Sequence, residues 1–198
     1  MSQAIYGFKG INSWDEVNEK IFNDDANYLT LEQSYRTTVE IMDCANRVLQ
    51  KVLGERLILA RPVVRHGKKP ETKSYSNAGD LAKALKDRIA ALEKEGCTSI
   101  AIIGKTMAEC KRMNELLIKS GLNELPILDG NEDSYTAGTL IVPAYAAKGL
   151  EFDAVILITI DEKYHHNELD AKLLYVAMTR SLHQLYHFSL GDRGLLWL

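Results

Sequence analysis

Apolar positions alternate along the chain between two periods, one near 3.6 residues and one continuous. Val39, Ile41, Met42, Ala45, Val48, Leu49 and Val52 recur at helical spacing and predict a helix over 38–52, with Thr37 or Thr38 as N-cap and Gly54 beyond its end. The same reasoning predicts helices from about Asp80 to Glu95, stopped by Gly96, over Met107–Lys119, stopped by Gly121, and over Leu169–Thr179. Short apolar runs between them read as strands: Ser99–Ile103, Pro126–Leu128, Leu140–Val142, Ala154–Ile160 and Leu185–Phe188. Earlier, Tyr28–Leu31 reads as a short strand, and Leu57–Val64, which contains Pro62, as an edge or irregular one. Residues 11–25 are polar and include the turn-like Asn23-Asp24-Asp25, which marks a boundary, and the basic Arg65-His66-Gly67-Lys68-Lys69-Pro70 reads as a loop. Strands alternating with helices imply an α/β fold, a mostly parallel sheet flanked by helices on both faces.

Composition changes this picture little. The 198 residues are 46% hydrophobic and 26% charged, which fits one globular domain with a continuous core. The longest apolar stretch, Ala154–Ile160 interrupted only by Thr159, is too short to span a bilayer, so a cytoplasmic protein without membrane partners is expected. Cys44, Cys97 and Cys110 lack metal-like or paired spacing and are expected as reduced thiols packed as small hydrophobes. A net charge of −3 argues against a free-standing binder held to nucleic acid by a broad basic surface, though a narrow basic groove fits.

Two segments imitate nucleotide motifs. Gly104-Lys105-Thr106 joins a strand to a helix as a phosphate loop does, but Ser99 stands where that loop needs its first glycine. The expected role is a strand-to-helix turn with Thr106 as N-cap. Asp161-Glu162 ends an apolar strand as magnesium-binding carboxylates do, yet without a phosphate loop in the same domain it reads as an acidic strand end. The adjacent His165-His166 and the pair His183 and His187 lack a completing ligand set, so no metal site is expected.

Four other segments carry the functional signal: Gln3-Ala4-Ile5-Tyr6-Gly7-Phe8-Lys9-Gly10, Gln33-Ser34-Tyr35-Arg36-Thr37-Thr38, Ala147-Lys148-Gly149-Leu150-Glu151-Phe152 and Leu173-Leu174-Tyr175-Val176-Ala177-Met178-Thr179-Arg180. In this order they resemble motifs three to six of the superfamily 1 helicases of the UvrD/Rep class. The resemblance implies that residues 1–25 are the tail of motif three and a linker from a first motor domain, and that 26–198 form the second RecA-like domain. It also implies an ATP site, with Mg2+, shared between the two RecA-like domains and bound mainly by the first, which would make this chain inactive alone. Arg36 and Arg180 would then be arginine fingers, Gln3 a γ-phosphate sensor, Tyr35 the adenine-stacking ring, Glu151 a ribose ligand and Gly149 a point of close backbone approach. Tyr6, Phe8, Tyr145 and Lys148 would contact nucleic acid, with DNA the expected track. The residues alone leave plainer roles open: Arg180 can cap helix carbonyls, Arg36 can pair with Glu32 or Glu40, Tyr35 can sit half-buried in the core, Gly149 can be a turn and Glu151 a solvated charge.

Two departures refine the resemblance. Pro143-Ala144-Tyr145 replaces the family's Thr-x-His, and the interval between Arg36 and Lys148 leaves no room for the accessory subdomain of UvrD and Rep. Together with the basic 65–70 loop, these features are similar to the HelD, or helicase IV-like, branch, which implies RNA polymerase as a partner. Two readings of other classes stand beside this one. The first is a non-enzymatic interaction module of helicase ancestry docking through Arg65–Lys69 or the aromatic loop; the second is a self-contained nucleotide enzyme using Lys105 and Asp161.

Overall fold

The computed structural model describes residues 14–22, 25, 33–54, 59–62, 65–130 and 137–191. Its elements are α1 (Trp14–Phe22), β1 (Gln33–Ser34), α2 (Val39–Leu53), β2 (Arg61–Pro62), β3 (Glu71–Tyr75), α3 (Ala78–Lys94), β4 (Ser99–Gly104), α4 (Met107–Lys119), β5 (Gly138–Pro143), β6 (Phe152–Thr159), α5 (Glu168–Met178) and β7 (Ser181–Leu190). β3 to β7 form a five-stranded sheet in the order β3-β7-β6-β4-β5, with every neighbouring pair parallel. β1 and β2 form a separate parallel pair, Gln33 opposite Arg61 and Ser34 opposite Pro62.

The central strands are continuous apolar runs because both their faces are covered. Successive side chains point to opposite faces. Ala101, Ile103, Val155 and Leu157 pack with Ile41, Ala45 and Leu49 of α2 and Leu174 and Met178 of α5. Ile100, Ile102, Ala154, Ile156 and Ile158 pack on the other face with Leu81 and Leu85 of α3 and Met113 and Leu117 of α4. Cys44 and Cys110 are buried and Cys97 half-buried, all as free thiols. Burial pushes the Cys110 thiol up to about 12. Among the described residues, no helix is long and apolar enough to cross a membrane.

The α/β expectation holds, with local corrections. The helix expected over 38–52 is α2, and the helix expected over Met107–Lys119 is α4 with the same bounds. α1 forms where a polar boundary was expected, and β3 appears in a segment assigned no strand. Pro126–Leu128 contributes only an isolated bridge, Ile127 to Ile141. The strand expected at Tyr28–Leu31 lies outside the described residues. Where β6 enters the sheet, its register with β7 shifts between Phe152 and Ala154, whose partners are Ser181 and Gln184. A bulge of this kind re-aims the strand ends beside it.

Candidate functional site

Because the sheet is parallel, the residues leading into β6 and β7 share one edge of it, the amino edge. Glu151 immediately precedes β6, and Arg180 lies between α5 and β7. Arg36 follows β1 and sits two residues before Thr38, the N-cap of α2. Its Nε meets Glu151 Oε1 at 2.6 Å, with the two side chains 35% and 46% exposed. Of the local partners open to Arg36 in the sequence, Glu32 lies outside the described residues. Glu40 is taken instead by the 65–70 loop, accepting from Gly67 N at 2.8 Å and lying 2.9 Å from His66 Nδ1. The His66 and Gly67 hydrogen bonds hold the Glu40 carboxyl down to about 2.

Arg180 is 1% exposed and caps the end of α5. Its Nε donates to Val176 O at 3.0 Å, Nη1 to Leu150 O at 3.2 Å and Nη2 to Thr179 Oγ1 at 3.4 Å. Its own carbonyl accepts from Phe152 N at 3.0 Å, which ties the α5–β7 turn to the start of β6. Burial, and then the charge of Arg36, lower its pKa to about 10, while Glu151 opposes the shift. The charges of Arg36 and Glu151 thus both act on the Arg180 guanidinium. Such donors suit an anion with several oxygens. Arg36 presents its charge at the surface, whereas Arg180 is engaged as a helix cap.

The other expected residues distribute unevenly around this edge. Tyr35, next to Arg36, is 72% exposed and donates its hydroxyl to Gln33 Oε1 at 3.2 Å. Gly149 has φ 93, and a Cβ there would meet nothing within 4 Å, so the turn's left-handed backbone explains the glycine. Tyr145 and Lys148 are exposed on the turns joining β5 to β6. Those turns are closed by Ala146 N to Pro143 O at 2.9 Å and Leu150 N to Ala147 O at 3.1 Å. Tyr145 follows the carboxyl end of β5 and Glu151 precedes the amino end of β6, so this one segment crosses the sheet and separates Tyr145 from the arginines. Gln3, Tyr6 and Phe8 lie outside the described residues.

At the opposite, carboxyl edge, the two nucleotide-like motifs are occupied by structure. A Cβ on Gly104 would lie 3.0 Å from Cys110 Sγ, so close packing on α4 accounts for that glycine. Thr106 is the N-cap of α4, accepting from Glu109 N at 3.3 Å and donating to Glu162 Oε1 at 2.6 Å. Lys105 Nζ donates to Lys163 O at 2.7 Å and Asp170 Oδ2 at 2.9 Å. Glu109, buried and with its pKa raised by desolvation, accepts from the amides of Ile160 and Asp161. A lysine held by a buried carboxylate, in a ring of further carboxylates, does not offer a phosphate cradle. The basic loop is likewise neutralised in part, with Lys68 Nζ 2.7 Å from Glu95 Oε2.

Comparison with known proteins bears on the amino edge. Residues 140–186 match the family model of the UvrD-like helicase C-terminal domain. That segment carries Tyr145, Lys148, Gly149, Glu151 and Arg180, but neither Tyr35 nor Arg36. The solved C-terminal domain of a possible DNA helicase from Lactobacillus plantarum WCFS1 is similar at 28% identity, covering 83% of this chain and 92% of that one, with a TM-score of 0.65. No curated protein gives a significant match. The mostly parallel sheet flanked by helices is thus the architecture of a RecA-like helicase C-terminal domain.

Sequence reasoning did not single out the Lys105–Asp170 pair or the contacts of Arg65. Residues far apart in the chain supply both, and no spacing rule connects them.

Proposed function

We propose that this chain is the second RecA-like motor domain of an ATP-driven DNA helicase or translocase, contributing to an ATP site completed by a first RecA-like domain. The observation that carries the reading is the Arg36–Glu151 contact at 2.6 Å beside Arg180. It brings Arg36, outside the matched segment, to two residues within it. The donor set fits a nucleotide, since Arg36 and Arg180 suit phosphate oxygens, Tyr35 offers an uncovered ring for a base, and the Glu151 carboxylate can accept from a ribose hydroxyl. Bound ATP with Mg2+ would supply the hydrolysable phosphate bond, its metal held mainly by the first domain. This chain's own work is to orient donors. Arg36 faces outward, and Arg180 reaches the same anion by exchanging its two longer bonds, to Leu150 O and Thr179 Oγ1. Tyr145 and Lys148, across the sheet, are proposed to meet the nucleic acid. The Pro143-Ala144-Tyr145 variant and the compact interval support a HelD-like parent with RNA polymerase as its partner.

The burial of Arg180 favours a second reading, an interaction module of helicase ancestry in which both arginines are structural. ATP turnover by this domain combined with its first motor domain separates the two. Arg36→Ala should lower turnover by roughly three to five orders of magnitude if Arg36 spreads γ-phosphate charge. Turnover unchanged in Arg36→Ala would leave the module reading in its place.

A further inference from the structure

The 65–70 loop, read from the sequence as a basic docking patch, is folded back on the segment that carries Arg36. A single Arg65 nitrogen, Nη2, donates to Arg36 O at 2.7 Å and to Leu182 O of β7 at 2.6 Å. The Arg65 carbonyl accepts from Val39 N, the first amide of α2, at 2.9 Å. That amide needs an outside acceptor because Thr38, the N-cap, makes no side-chain cap bond. Gly67 packs so closely on the cap that a Cβ there would lie 2.6 Å from Thr38 Cγ2, and its amide is held by Glu40 of the first turn of α2.

We infer that Arg65 is a positioning residue that clips the Arg36 segment to β7 and so sets Arg36 in register with Arg180. This rests on the proposed role of Arg36. Arg36 follows a two-residue strand pair that is separate from the five-stranded sheet and orders it weakly. Arg180 immediately precedes β7 and is fixed by α5, β6 and β7 together. The Arg65 fork fixes the Arg36 carbonyl against Leu182, two residues beyond Arg180, and thereby makes the spacing of the two guanidiniums a property of the fold. Misplacing a charge-stabilising group by about an ångström can cost up to roughly a hundredfold in rate.

The test is steady-state ATP turnover by this domain together with its first motor domain, comparing Arg36→Ala, Arg65→Ala, Arg65→Lys and the double variant Arg36→Ala/Arg65→Ala. Arg65→Ala should lower kcat roughly tenfold to a hundredfold with KM for ATP within about twofold. Arg65→Lys, which keeps a cationic donor for the two carbonyls, should recover most of that loss. The double variant should be no slower than Arg36→Ala alone, because a positioning residue has nothing to place once Arg36 is gone. An Arg65→Ala enzyme with normal kcat, or losses that multiply in the double variant, overturns the inference while leaving the role of Arg36 intact. Full turnover by Arg36→Ala overturns both.

Discussion

Replacing Lys105 by alanine should damage the fold of this domain and nothing in its chemistry. The Lys105–Asp170 pair is 2.9 Å long, with the side chains 15% and 8% exposed. Asp170 also accepts from His165 N at 2.6 Å. Removing one partner of a fully buried pair costs about 3–5 kcal/mol, because the other charge is left unpaired in a poor solvent. The residual exposure and the surviving His165 bond reduce this to about 2–3 kcal/mol, which at about 3 °C per kcal/mol lowers Tm by roughly 6–9 °C. Thermal unfolding of the isolated chain followed by circular dichroism reads the shift directly. The double variant Lys105→Met/Asp170→Asn keeps an oxygen for the His165 amide and removes both charges, so it should return to within about 1 kcal/mol of the parent. A Lys105→Ala protein melting within 1 °C of the parent refutes the ion-pair account. So does ATP hydrolysis by the isolated chain that Lys105→Ala abolishes, which would make Lys105 a phosphate ligand.

Acid should destabilise the domain through His187. Burial holds its pKa down to about 3 against an unfolded value of 6.5, so the unfolded chain takes up the proton first and stability falls as pH drops from 6.5 toward 3. About 2 kcal/mol should be lost between pH 7.5 and pH 5 relative to His187→Gln, measured by urea unfolding, and parallel pH profiles for the two proteins would refute it. Gly149→Ala should cost about 1 kcal/mol through φ alone, since its surroundings are open; a neutral melt would mean that the turn relaxes. Arg180→Ala should lose about 2–4 kcal/mol with its three hydrogen bonds, and Arg36→Ala, half-exposed in a surface pair, less than about 1. Equal losses in urea unfolding would contradict the difference in burial.

What the sequence made legible follows from how locally each feature is encoded. α2 and α4 show because their buried positions repeat every turn, and β4 and β6 show because strands covered on both faces have no reason to be polar. β3 did not show, since Glu71-Thr72-Lys73-Ser74-Tyr75 is an edge strand held by backbone pairing to β7, with Ser74 Oγ 2.9 Å from Ser189 Oγ. α1 is amphipathic but only nine residues long, and its polar surroundings hid it. The turn role of Gly104 to Thr106 was legible because a phosphate loop has a fixed glycine spacing that this segment lacks. The partner of Arg36 was not, because Glu151 lies on the far side of four strands in the chain and only the crossover topology returns it to the amino edge.

The two edges of the sheet divide the functional possibilities between them. At the carboxyl edge, where an open parallel sheet usually binds its ligand, Lys105 pairs with Asp170, Thr106 with Glu162 and Glu109 with the amides of Ile160 and Asp161, and the excess of carboxylates repels an anion. At the amino edge the balance reverses. Arg36 lies at the surface, paired with Glu151 in a contact that solvent already weakens, and the charges of both act on Arg180. A phosphate group reaching Arg36 competes with the half-exposed Glu151 carboxylate, whereas at the other edge it would have to break a mostly buried network. The amino edge is therefore the more favourable of the two for an anion, which is the balance that the proposed shared ATP site requires.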